Sequence, residues 1–395
     1  MYSAPRFAGV SLRGRPTNTL AMSGCGDLKN GSATSAHIAL RYLEPPAFLP
    51  QYKNPCWWHN SKDGTKVFRC LPYFYLAGFP KCGTTDLYFR LQQHPFVVPA
   101  IQKEPHFLTR FMYKTGCSKQ YKYTPASTRC NLEKYTTQFF ENSANIIRKN
   151  KKPSNDNVFQ DRWRAGQTKK ERLRAQNPKI TVDGSASTAW DNRNWFRILE
   201  NQGCSEPRVG PAQVVTRMNP DVRIIMILRD PTDRLYSDYL YFTREEEPTR
   251  QGFHDRVKAA IAAFQSCTSH KPPSLCLTKL TQVRLHIGLY HIFISDWLSV
   301  LPRDHLLVLQ SESYRTNVTA SLEQIFKFLD LREYPLSKEA LQRISNLKEK
   351  NTTKKKSLVG DMLPETKVLL RRFYSEHNEK LAQLLGDERF AWRSK

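Results

Sequence analysis

Long apolar runs are missing from this 395-residue chain. It has no stretch of about 18 apolar residues to span a membrane and no apolar core of a signal peptide. Its nine cysteines include no C-x-x-C pair, which argues against a structural zinc site. No internal repeat, zinc-finger spacing, RNP-type aromatic motif or leucine-zipper heptad array occurs. The sequence therefore gives no sign of a repeat protein or of a familiar nucleic-acid-binding module.

Acidic residues are few relative to basic ones, with 36 Asp and Glu against 61 Lys and Arg, a formal net charge of +25. The electrostatic field of so large a positive charge concentrates sulfated or phosphorylated polymers near the protein. Nucleic acid is the competing partner, because a basic chain rich in aromatic side chains can track a single strand by stacking and charge. The charge is spread along the chain, and part of it, including residues 148–179, equally fits a solvated surface without a partner. We expect a polyanionic partner other than nucleic acid.

Residues 78–85, GFPKCGTT, predict a phosphate-binding loop between a strand and a helix. The preceding LPYFYLA is short and apolar, as a buried strand is, and in the following DLYFRLQQH, Leu87 and Leu91 share one helix face. Glycines let backbone N–H groups approach an anion, the helix N-terminus adds a partial positive charge, and Lys81 adds a full one. Taken alone, the octet also fits an ordinary strand-to-helix turn with a surface lysine.

The position of the lysine separates this loop from the P-loop of nucleoside triphosphatases. In G-x-x-x-x-G-K-[ST] the lysine follows the second glycine and reaches the β- and γ-phosphates. Here Thr84 follows Gly83, and Lys81 lies inside the loop. The arrangement favours a nucleotide that has no γ-phosphate and needs no metal.

A second strand-to-helix junction follows RIIMIL (223–228), another buried-strand pattern. Arg229 ends this strand, Pro231 suits the first turn of the next helix, and Ser237 lies two turns further on. Together Arg229 and Ser237 can hold one phosphate, through a guanidinium fork and a hydroxyl. The alternative is a local Arg229–Asp230 ion pair and a solvent-facing serine.

The segments GFPKCGTTDLY (78–88) and LRDPTDRLYSDYLYF (228–242) together resemble the two cofactor-binding motifs of the Golgi carbohydrate sulfotransferases, which use 3′-phosphoadenosine 5′-phosphosulfate (PAPS). The resemblance extends through KEPHFLTR (103–110), SASTAWDN (185–192), VRLHIGLYHIFISDWLSV (283–300) and FAWRSK (390–395). It covers roughly residues 54–395. Within the family, the chain is similar to the 6-O-sulfotransferases that act on N-acetylgalactosamine 4-sulfate in chondroitin and dermatan sulfate.

The resemblance implies a PAPS-dependent enzyme that sulfates a glycosaminoglycan hydroxyl, O6 of N-acetylgalactosamine 4-sulfate first of all, without a metal. Heparan sulfate or another glycan is the alternative acceptor. It also implies two sets of PAPS-binding residues. Those around the 5′-phosphosulfate are Lys81, Cys82, Gly83, Thr84 and Thr85, and those on the 3′-phosphate are Arg229 and Ser237. A non-catalytic polyanion-binding protein is a further alternative, against which the intact Lys81, Arg229 and Ser237 argue.

For catalysis, the resemblance assigns Lys81 to the charge on the leaving phosphate and Glu104 to the proton of the acceptor hydroxyl. His106 is the alternative base, since an imidazole titrates near neutral pH and a histidine serves in some cytosolic sulfotransferases. Residues 183–187, DGSAS, depart from related enzymes, which often have a glutamate or lysine before the serine segment. The three lysines at 354–356 are weak candidates for a basic loop over the nucleotide.

Apolar strands that alternate with longer helical patterns predict an α/β fold. We expect a P-loop-like, three-layer arrangement with a central parallel sheet and helices on both faces, as the sulfotransferase resemblance also implies. Predicted strands are 179–182, 223–228 and 306–309, and predicted helices are 253–265, 285–300, 320–329 and 365–385. Residues 1–53 predict a flexible basic stem, and residues 54–395 predict the sulfotransferase domain.

Cysteines and sequons suit a secretory-lumen enzyme. Cys56 with Cys70 and Cys117 with Cys130 are possible disulfides, although sequence does not fix connectivity, and Cys267 with Cys276 resembles a disulfide of Golgi sulfotransferases. Asn30, Asn317 and Asn351 begin Asn-x-Ser/Thr triplets. Golgi sulfotransferases are normally type II membrane proteins. The resemblance therefore implies a Golgi location, with the N-terminal anchor absent from this chain.

Overall fold

A five-stranded, all-parallel sheet forms the centre of the fold. The computed structural model describes residues 40–61, 63–113, 131–149, 177–243, 248–277, 282–331, 336–350 and 355–393. In these residues the strands are β1 (Cys56–Asn60), β2 (Lys66–Cys70), β3 (Phe74–Gly78), β4 (Val97–Pro99), β5 (Ile180–Asp183), β6 (Arg223–Leu228) and β7 (Leu306–Gln310). Strands β1 and β2 form a separate antiparallel hairpin. The order across the sheet is β4-β5-β3-β6-β7, so β3 lies between β5 and β6.

The α-helices connect and cover these strands. In the described residues they are α1 (Thr84–Leu91), α2 (Leu132–Arg148), α3 (Pro211–Met218), α4 (Pro231–Phe242), α5 (Arg250–Thr268), α6 (Pro273–Cys276), α7 (Tyr290–Leu298), α8 (Ser311–Thr316), α9 (Val318–Phe328), α10 (Lys338–Ser345), α11 (Lys355–Val359) and α12 (Pro364–Leu385). None of these helices is both long and apolar enough to cross a membrane.

The central strands are covered on both faces. Every residue of β3 and β5 is buried, as is every residue of β6 after Arg223. Because side chains alternate between the two faces of a strand, complete burial means that structure packs on each face. The predicted α/β fold with a parallel sheet is confirmed, and the carboxyl ends of its strands form one edge, where ligands of such sheets bind.

Most predicted elements agree closely with the structure. The predicted strand 223–228 coincides with β6, and 179–182 and 306–309 match β5 and β7 within a residue. The predicted helices 253–265, 320–329 and 365–385 correspond to α5, α9 and α12. The strand predicted from the segment that begins at Leu71 starts only at Phe74. The Leu71 N–H donates to the Pro55 carbonyl at 2.9 Å, so Leu71 extends the pairing of the β1–β2 hairpin instead of the central sheet.

The helix predicted over 285–300 is two elements, a 3₁₀ turn (Leu285–Gly288) and α7. Leu289 separates them with a ψ of 54°, which is outside the helical range. Tyr374 of α12 donates its hydroxyl to the Leu285 carbonyl at 2.7 Å, which supplies a partner that a continuous helix would have provided. The apolar periodicity correctly predicted helical structure in this segment, but it could not reveal the tertiary contact with Tyr374.

Two predicted disulfides are present. The Cys56–Cys70 bond closes the β1–β2 hairpin, and Cys267–Cys276 joins the end of α5 to α6. The pair Cys117 and Cys130 lies outside the described residues. Of the predicted stem, residues 40–53 are described, and Leu40 and Leu43 are buried in the main core.

Candidate active site

The predicted site residues gather at the carboxyl edge of the sheet on either side of β3. The loop after β3 carries Lys81, and the junction after β6 carries Arg229. We call residues 78–85 together with Arg229 and Ser237 the β6 side of the site. Residues 103–110 and 183–193, which meet beside the end of β5, form the β5 side.

The loop after β3 is shaped for an anion. Gly83 has a φ of 104°, a conformation that side-chain-bearing residues rarely adopt, and it precedes the first residue of α1. Because Gly83 has no capping side chain, the N–H groups of the first helical turn are available to a ligand. Lys81 also has a positive φ, 67°. The chain thus coils tightly at the point where the helix dipole favours negative charge.

Lys81 is partly desolvated. Its Nζ lies 3.8 Å from the centroid of the Tyr241 ring, so the ammonium group rests on an aromatic face. Burial lowers the pKa of Lys81 to about 8; Asp238 opposes this shift, whereas Arg229 and Arg284 add to it. An ammonium group with few water contacts interacts strongly with any anion that enters the cleft.

The junction after β6 places the second phosphate-binding pair. Asp230 caps α4 by accepting the Thr232 N–H at 2.8 Å, and Pro231 occupies the first helical position. Arg229 is held by the Tyr290 hydroxyl, which donates to the Arg229 carbonyl at 2.9 Å. Its guanidinium lies 3.9 Å from Asp233, one turn along the helix, whereas the carboxylate of Asp230, the partner in the alternative interpretation, caps α4.

A cleft of about 300 Å³ joins these elements. Its lining includes the predicted residues Lys81, Gly83, Thr84, Thr85, Arg229 and Ser237, together with Asp233, Tyr236, Leu240, Arg315, Glu349, Lys350 and Lys356. Five of these side chains are basic and two are acidic, so the cleft suits an anion. Of the three candidate lysines at 354–356, Lys356 lines the cleft, whereas residue 354 and the side chain of residue 355 lie outside the described structure.

Cys82 does not contribute its side chain to this cleft. Its thiol is buried, lies 3.8 Å from the Tyr290 hydroxyl, and is not part of a disulfide. Burial raises the pKa of this thiol to about 11, so it is a poor nucleophile. Any contact of Cys82 with a ligand must therefore come from its backbone.

A buried ion pair fixes the far wall of the cleft to α1. Asp86 and Arg90 pair at 2.7 Å, and Arg90 also donates to the carbonyls of Ser345 and Leu347. Asp86 in turn accepts the backbone N–H of Lys350 at 3.0 Å. This network holds the backbone of Lys350 at the lining of the cleft.

On the β5 side, Glu104 and His106 form a close pair. His106 Nε2 lies 3.1 Å from a Glu104 carboxylate oxygen, and Lys103 donates to the other oxygen. Burial alone would raise the pKa of Glu104, but hydrogen bonding from His106 and the charge and hydrogen bond of Lys103 outweigh it and lower the value to about 2. Glu104 is therefore an ionised carboxylate with two donors.

The serine segment after β5 supports this pair. Asp183 is buried, which raises its pKa, and it accepts hydrogen bonds from the Tyr135 hydroxyl at 2.6 Å and the Ser185 N–H at 2.8 Å. The Ser185 hydroxyl accepts the His106 N–H at 2.8 Å. Strand β5 thereby fixes the loop that carries Glu104.

The packing around Gly184 requires a glycine. A Cβ atom at residue 184 would lie 2.7 Å from both the Lys103 carbonyl oxygen and the Tyr88 ring. Only glycine leaves room for this close approach. Here the loop of Lys103 and Glu104 occupies the space that a larger residue would need.

A second, larger cleft contains none of the predicted site residues. It has a volume of about 470 Å³ and is lined by residues such as Tyr73, Arg223 and His305, which lie at the amino ends of β3, β6 and β7. Ligands of parallel sheets bind at the carboxyl ends, so we assign the site to the smaller cleft. Among the described residues, no group of His, Cys, Asp or Glu side chains suits a metal ion.

Comparison with known proteins identifies the family. A model described as the Sulfotransferase domain matches residues 72–380. The chain belongs to this family. It is 32% identical to Carbohydrate sulfotransferase 15 of Mus musculus, in an alignment that covers 89% of this chain and 66% of that protein. It is 24% identical to Bifunctional heparan sulfate N-deacetylase/N-sulfotransferase 2 of Homo sapiens, over 88% of this chain and 34% of that protein.

This sulfotransferase family member therefore spans a little less than two thirds of the length of the mouse relative. Among solved structures, a crystal structure of a sulfotransferase from Alicyclobacillus acidocaldarius aligns with 19% identity and a TM-score of 0.46. That alignment covers 82% of this chain and 99% of the bacterial one. The family-model match to residues 72–380 and the 32% identity to the mouse relative confirm the predicted family.

The sequence did not reveal several residues of this sulfotransferase domain. Arg315, Glu349 and Lys350 line the cleft but belong to no motif, and the backbone of Lys350 is held by the distant Asp86. On the β5 side, Arg110 and Arg193 both pair with Asp191, at 3.0 and 2.7 Å. Arg110 and Asp191 belong to the segments KEPHFLTR and SASTAWDN, and Arg193 directly follows the second, so a search for complementary charges between the two segments could have found them.

Proposed function

We propose that this protein transfers a sulfuryl group from PAPS to a glycosaminoglycan hydroxyl, namely O6 of N-acetylgalactosamine 4-sulfate in chondroitin or dermatan sulfate. The observation that carries the proposal is the placement of a basic cleft and an ionised carboxylate on opposite sides of β3. Membership of the sulfotransferase family supports the reaction class. The name of the mouse relative, Carbohydrate sulfotransferase 15, supports a sugar acceptor.

The β6 side fits a nucleotide with separate 5′- and 3′-phosphates. Gly83 and the first turn of α1 suit one phosphate, and Arg229 and Ser237, which share the lining of the same cleft, suit the other. Lys350 and Lys356 extend the positive charge beyond these two positions. When bound, PAPS supplies the sulfuryl group, and its 5′-phosphate becomes the leaving group.

Lys81 stabilises the charge that develops when the bond between sulfur and the leaving phosphate oxygen breaks. Its partial desolvation strengthens that interaction, because the local dielectric is lower than in water. Tyr241 holds the ammonium group at the mouth of the loop without neutralising it. As in phosphoryl transfer, the protein contributes positioning and electrostatics more than covalent chemistry.

Glu104 accepts the proton of the acceptor hydroxyl as its oxygen bonds to sulfur. The carboxylate is ionised over the whole physiological range, since its pKa is about 2. So weak a base takes the proton only when the hydroxyl has become acidic, late in the formation of the new sulfur–oxygen bond. Its two donors, Lys103 and His106, keep it in one orientation until then.

Two arginines of the β5 side, Arg110 and Arg193, suit an anionic acceptor. The Asp191 side chain is fully buried, and it holds Arg110 and Arg193, whose side chains are about one third exposed at 35% and 33%. One carboxylate cannot neutralise two guanidinium groups, and each guanidinium retains donors for a sulfate or a carboxylate. A glycosaminoglycan that already carries a 4-sulfate presents such groups next to the reacting hydroxyl.

Heparan sulfate is the second candidate acceptor. The similarity to a bifunctional heparan sulfate N-deacetylase/N-sulfotransferase favours it, although at 24% identity rather than 32%. The basic surface of the β5 side is compatible with either polymer.

We further propose that the enzyme works in the Golgi lumen. Disulfides such as Cys56–Cys70 and Cys267–Cys276 persist in oxidising compartments, which supports a secretory route. Asn317 of one predicted sequon is exposed at the start of α9, where a glycan has access. Asn30 and Asn351 lie outside the described residues.

The decisive experiment incubates purified protein with sulfur-labelled PAPS and a matched acceptor panel. The panel contains desulfated chondroitin, chondroitin 4-sulfate, dermatan sulfate and N-desulfated heparan sulfate, and disaccharide analysis locates the label. We expect label at O6 of 4-sulfated N-acetylgalactosamine. Label on heparan sulfate alone would support the second candidate, and absence of transfer to every glycan would reject both in favour of a polyanion-binding protein.

A further inference from the structure

A continuous line of hydrogen bonds leads from the protein interior to Glu104. The hydroxyls of Thr109 and Ser187 lie 2.7 Å apart, and the Ser187 hydroxyl lies 2.7 Å from His106 Nδ1. The other ring nitrogen of His106 is 3.1 Å from Glu104. Thr109 and Ser187 are each only 1% exposed, so water has little access to either hydroxyl.

The ionisation state of Glu104 determines which group donates and which accepts in each of these hydrogen bonds. An ionised carboxylate only accepts hydrogen bonds, and Glu104 is ionised because its pKa is about 2. His106 Nε2 must therefore carry the proton that it shares with Glu104. When the imidazole is neutral, Nδ1 is then the acceptor, and the Ser187 hydroxyl donates to it. Ser187 has no second hydrogen, so Thr109 donates to Ser187.

The backbone of His106 is fixed independently of its ring. His106 has a φ of 50°, a conformation that costs a side-chain-bearing residue free energy, and the Ser185 hydroxyl accepts its N–H at 2.8 Å. A ring attached to such a constrained backbone has few ways to turn. Ser185 thus sets the position of the imidazole, and Ser187 sets its protonated nitrogen.

We propose that Ser187 and Thr109 are positioning residues that hold His106 as the Nε2–H tautomer, so that His106 orients the Glu104 carboxylate and is not itself the base. This inference rests on the proposed function, in which Glu104 accepts the proton of the acceptor hydroxyl. In this arrangement the His106 lone pair points inward to Ser187 and is unavailable to the acceptor. The alternative base, His106, would need that lone pair on Nε2, directly facing a carboxylate.

The first test compares His106→Gln with His106→Ala. A glutamine amide reproduces the donor at Nε2 but cannot take a proton, so it restores orientation and not basicity. We expect Ala to lower kcat by about 100-fold and Gln to stay within about 10-fold of the wild type, with Kd for the desulfated nucleotide product unchanged in both. If Gln and Ala are equally inactive while both bind that product, His106 acts as the base and the proposal is wrong.

The second test reads the tautomer without any turnover. Protein labelled with ¹⁵N-histidine should show His106 protonated at Nε2 and unprotonated at Nδ1, with the signal assigned by its loss in His106→Gln. Ser187→Ala should remove this preference. Thr109→Val, which matches threonine in size, should weaken it, whereas Thr109→Ser should preserve it. A wild-type signal protonated at Nδ1 would overturn the proposal. This readout holds whether or not the wild type sulfates any glycan, so it separates failure of this proposal from failure of the proposed function.

Discussion

The two sides of β3 each hold a negatively charged group, but they do so with different kinds of contact. On the β6 side the anion site is made of backbone N–H groups and long cationic side chains that come from contiguous motifs. On the β5 side the Glu104 carboxylate is held by Lys103 and His106, and His106 is supported in turn by hydroxyl groups of a segment about 80 residues away, as in the bond between His106 and Ser187. A site built from contiguous motifs tolerates small shifts of the backbone, because its long cationic side chains can change conformation. A network of short hydroxyls depends on the exact packing of both segments.

Burial also acts differently on the two charged residues of the mechanism. For Lys81, burial dominates and lowers the pKa to about 8, against the opposing effect of Asp238. For Glu104, burial alone would raise the pKa, but His106 and Lys103 lower it to about 2. Lys81 thus keeps most of its charge at neutral pH but loses it as pH rises through about 8, whereas Glu104 is far from gaining a proton. The cation is the pH-sensitive part of this site, and the anion is the orientation-sensitive part.

We expect the largest effect on turnover from Glu104→Gln. The amide keeps the size of the side chain but removes the carboxylate that accepts the proton in the proposed function, so kcat should fall by about 10³-fold, within the range for general-base catalysis. Binding of the desulfated nucleotide product, measured by calorimetry, should be unchanged, because the β6 side is intact.

The matched control is Glu349→Gln, a carboxylate that lines the nucleotide cleft and pairs with Arg315 at 3.2 Å. It should alter Kd for the nucleotide more than kcat. Similar losses of kcat in the two variants would mean that the two sides are not functionally separate.

The difference between the two sides also explains what the sequence could predict. The β6 side was predictable because a strand, a glycine-containing loop and a helix start are consecutive in the chain, so spacing determines geometry. Glu104 and His106 were predictable only by resemblance, and their partners Ser187 and Thr109 were not predicted. The fold followed from apolar periodicity, but the break at Leu289 depends on the distant Tyr374. Contacts between remote segments leave no local pattern.

Replacing Lys81 should produce the next largest effect. In Lys81→Ala the loop after β3 loses its full positive charge, and kcat should fall by about 10²- to 10³-fold, as for the loss of one preorganised electrostatic group. Lys81→Arg, which keeps the charge and can still rest on Tyr241, should recover most of the activity. Steady-state kinetics with saturating acceptor measures both. Near-normal kcat in Lys81→Ala would exclude this residue from the chemical step.

A smaller effect, confined to the acceptor, is expected from Arg193→Ala. Arg110 still neutralises the buried Asp191, so the fold should persist, but the loss of one guanidinium should raise KM for chondroitin 4-sulfate by about 10-fold, as the loss of a charge-assisted contact does. KM for PAPS should not change. The discrimination between 4-sulfated and desulfated chondroitin should also decrease.

Arg389→Ala is the matched control for that prediction. Arg389 pairs with Asp387 two residues earlier, as Arg193 pairs with Asp191, but it lies outside the β5 side. An equal rise in KM for this variant would indicate a general effect of net charge instead of a contact at the site.

The smallest effect expected is an alkaline limit to activity set by Lys81. Because only the protonated amine stabilises the leaving phosphate, kcat/KM for PAPS should decline as pH rises through about 8. A bound phosphosulfate favours the ammonium form, so kcat should hold to higher pH than kcat/KM.

The stability of the protein should change with pH in the opposite sense. The lysine pKa is lowered from 10.5, so between about pH 8 and 10.5 the unfolded chain binds more protons and the contribution of Lys81 to the free energy of unfolding rises with pH. In Lys81→Arg the guanidinium stays charged, and both effects should disappear. The same alkaline limb in that variant would mean that another group controls it.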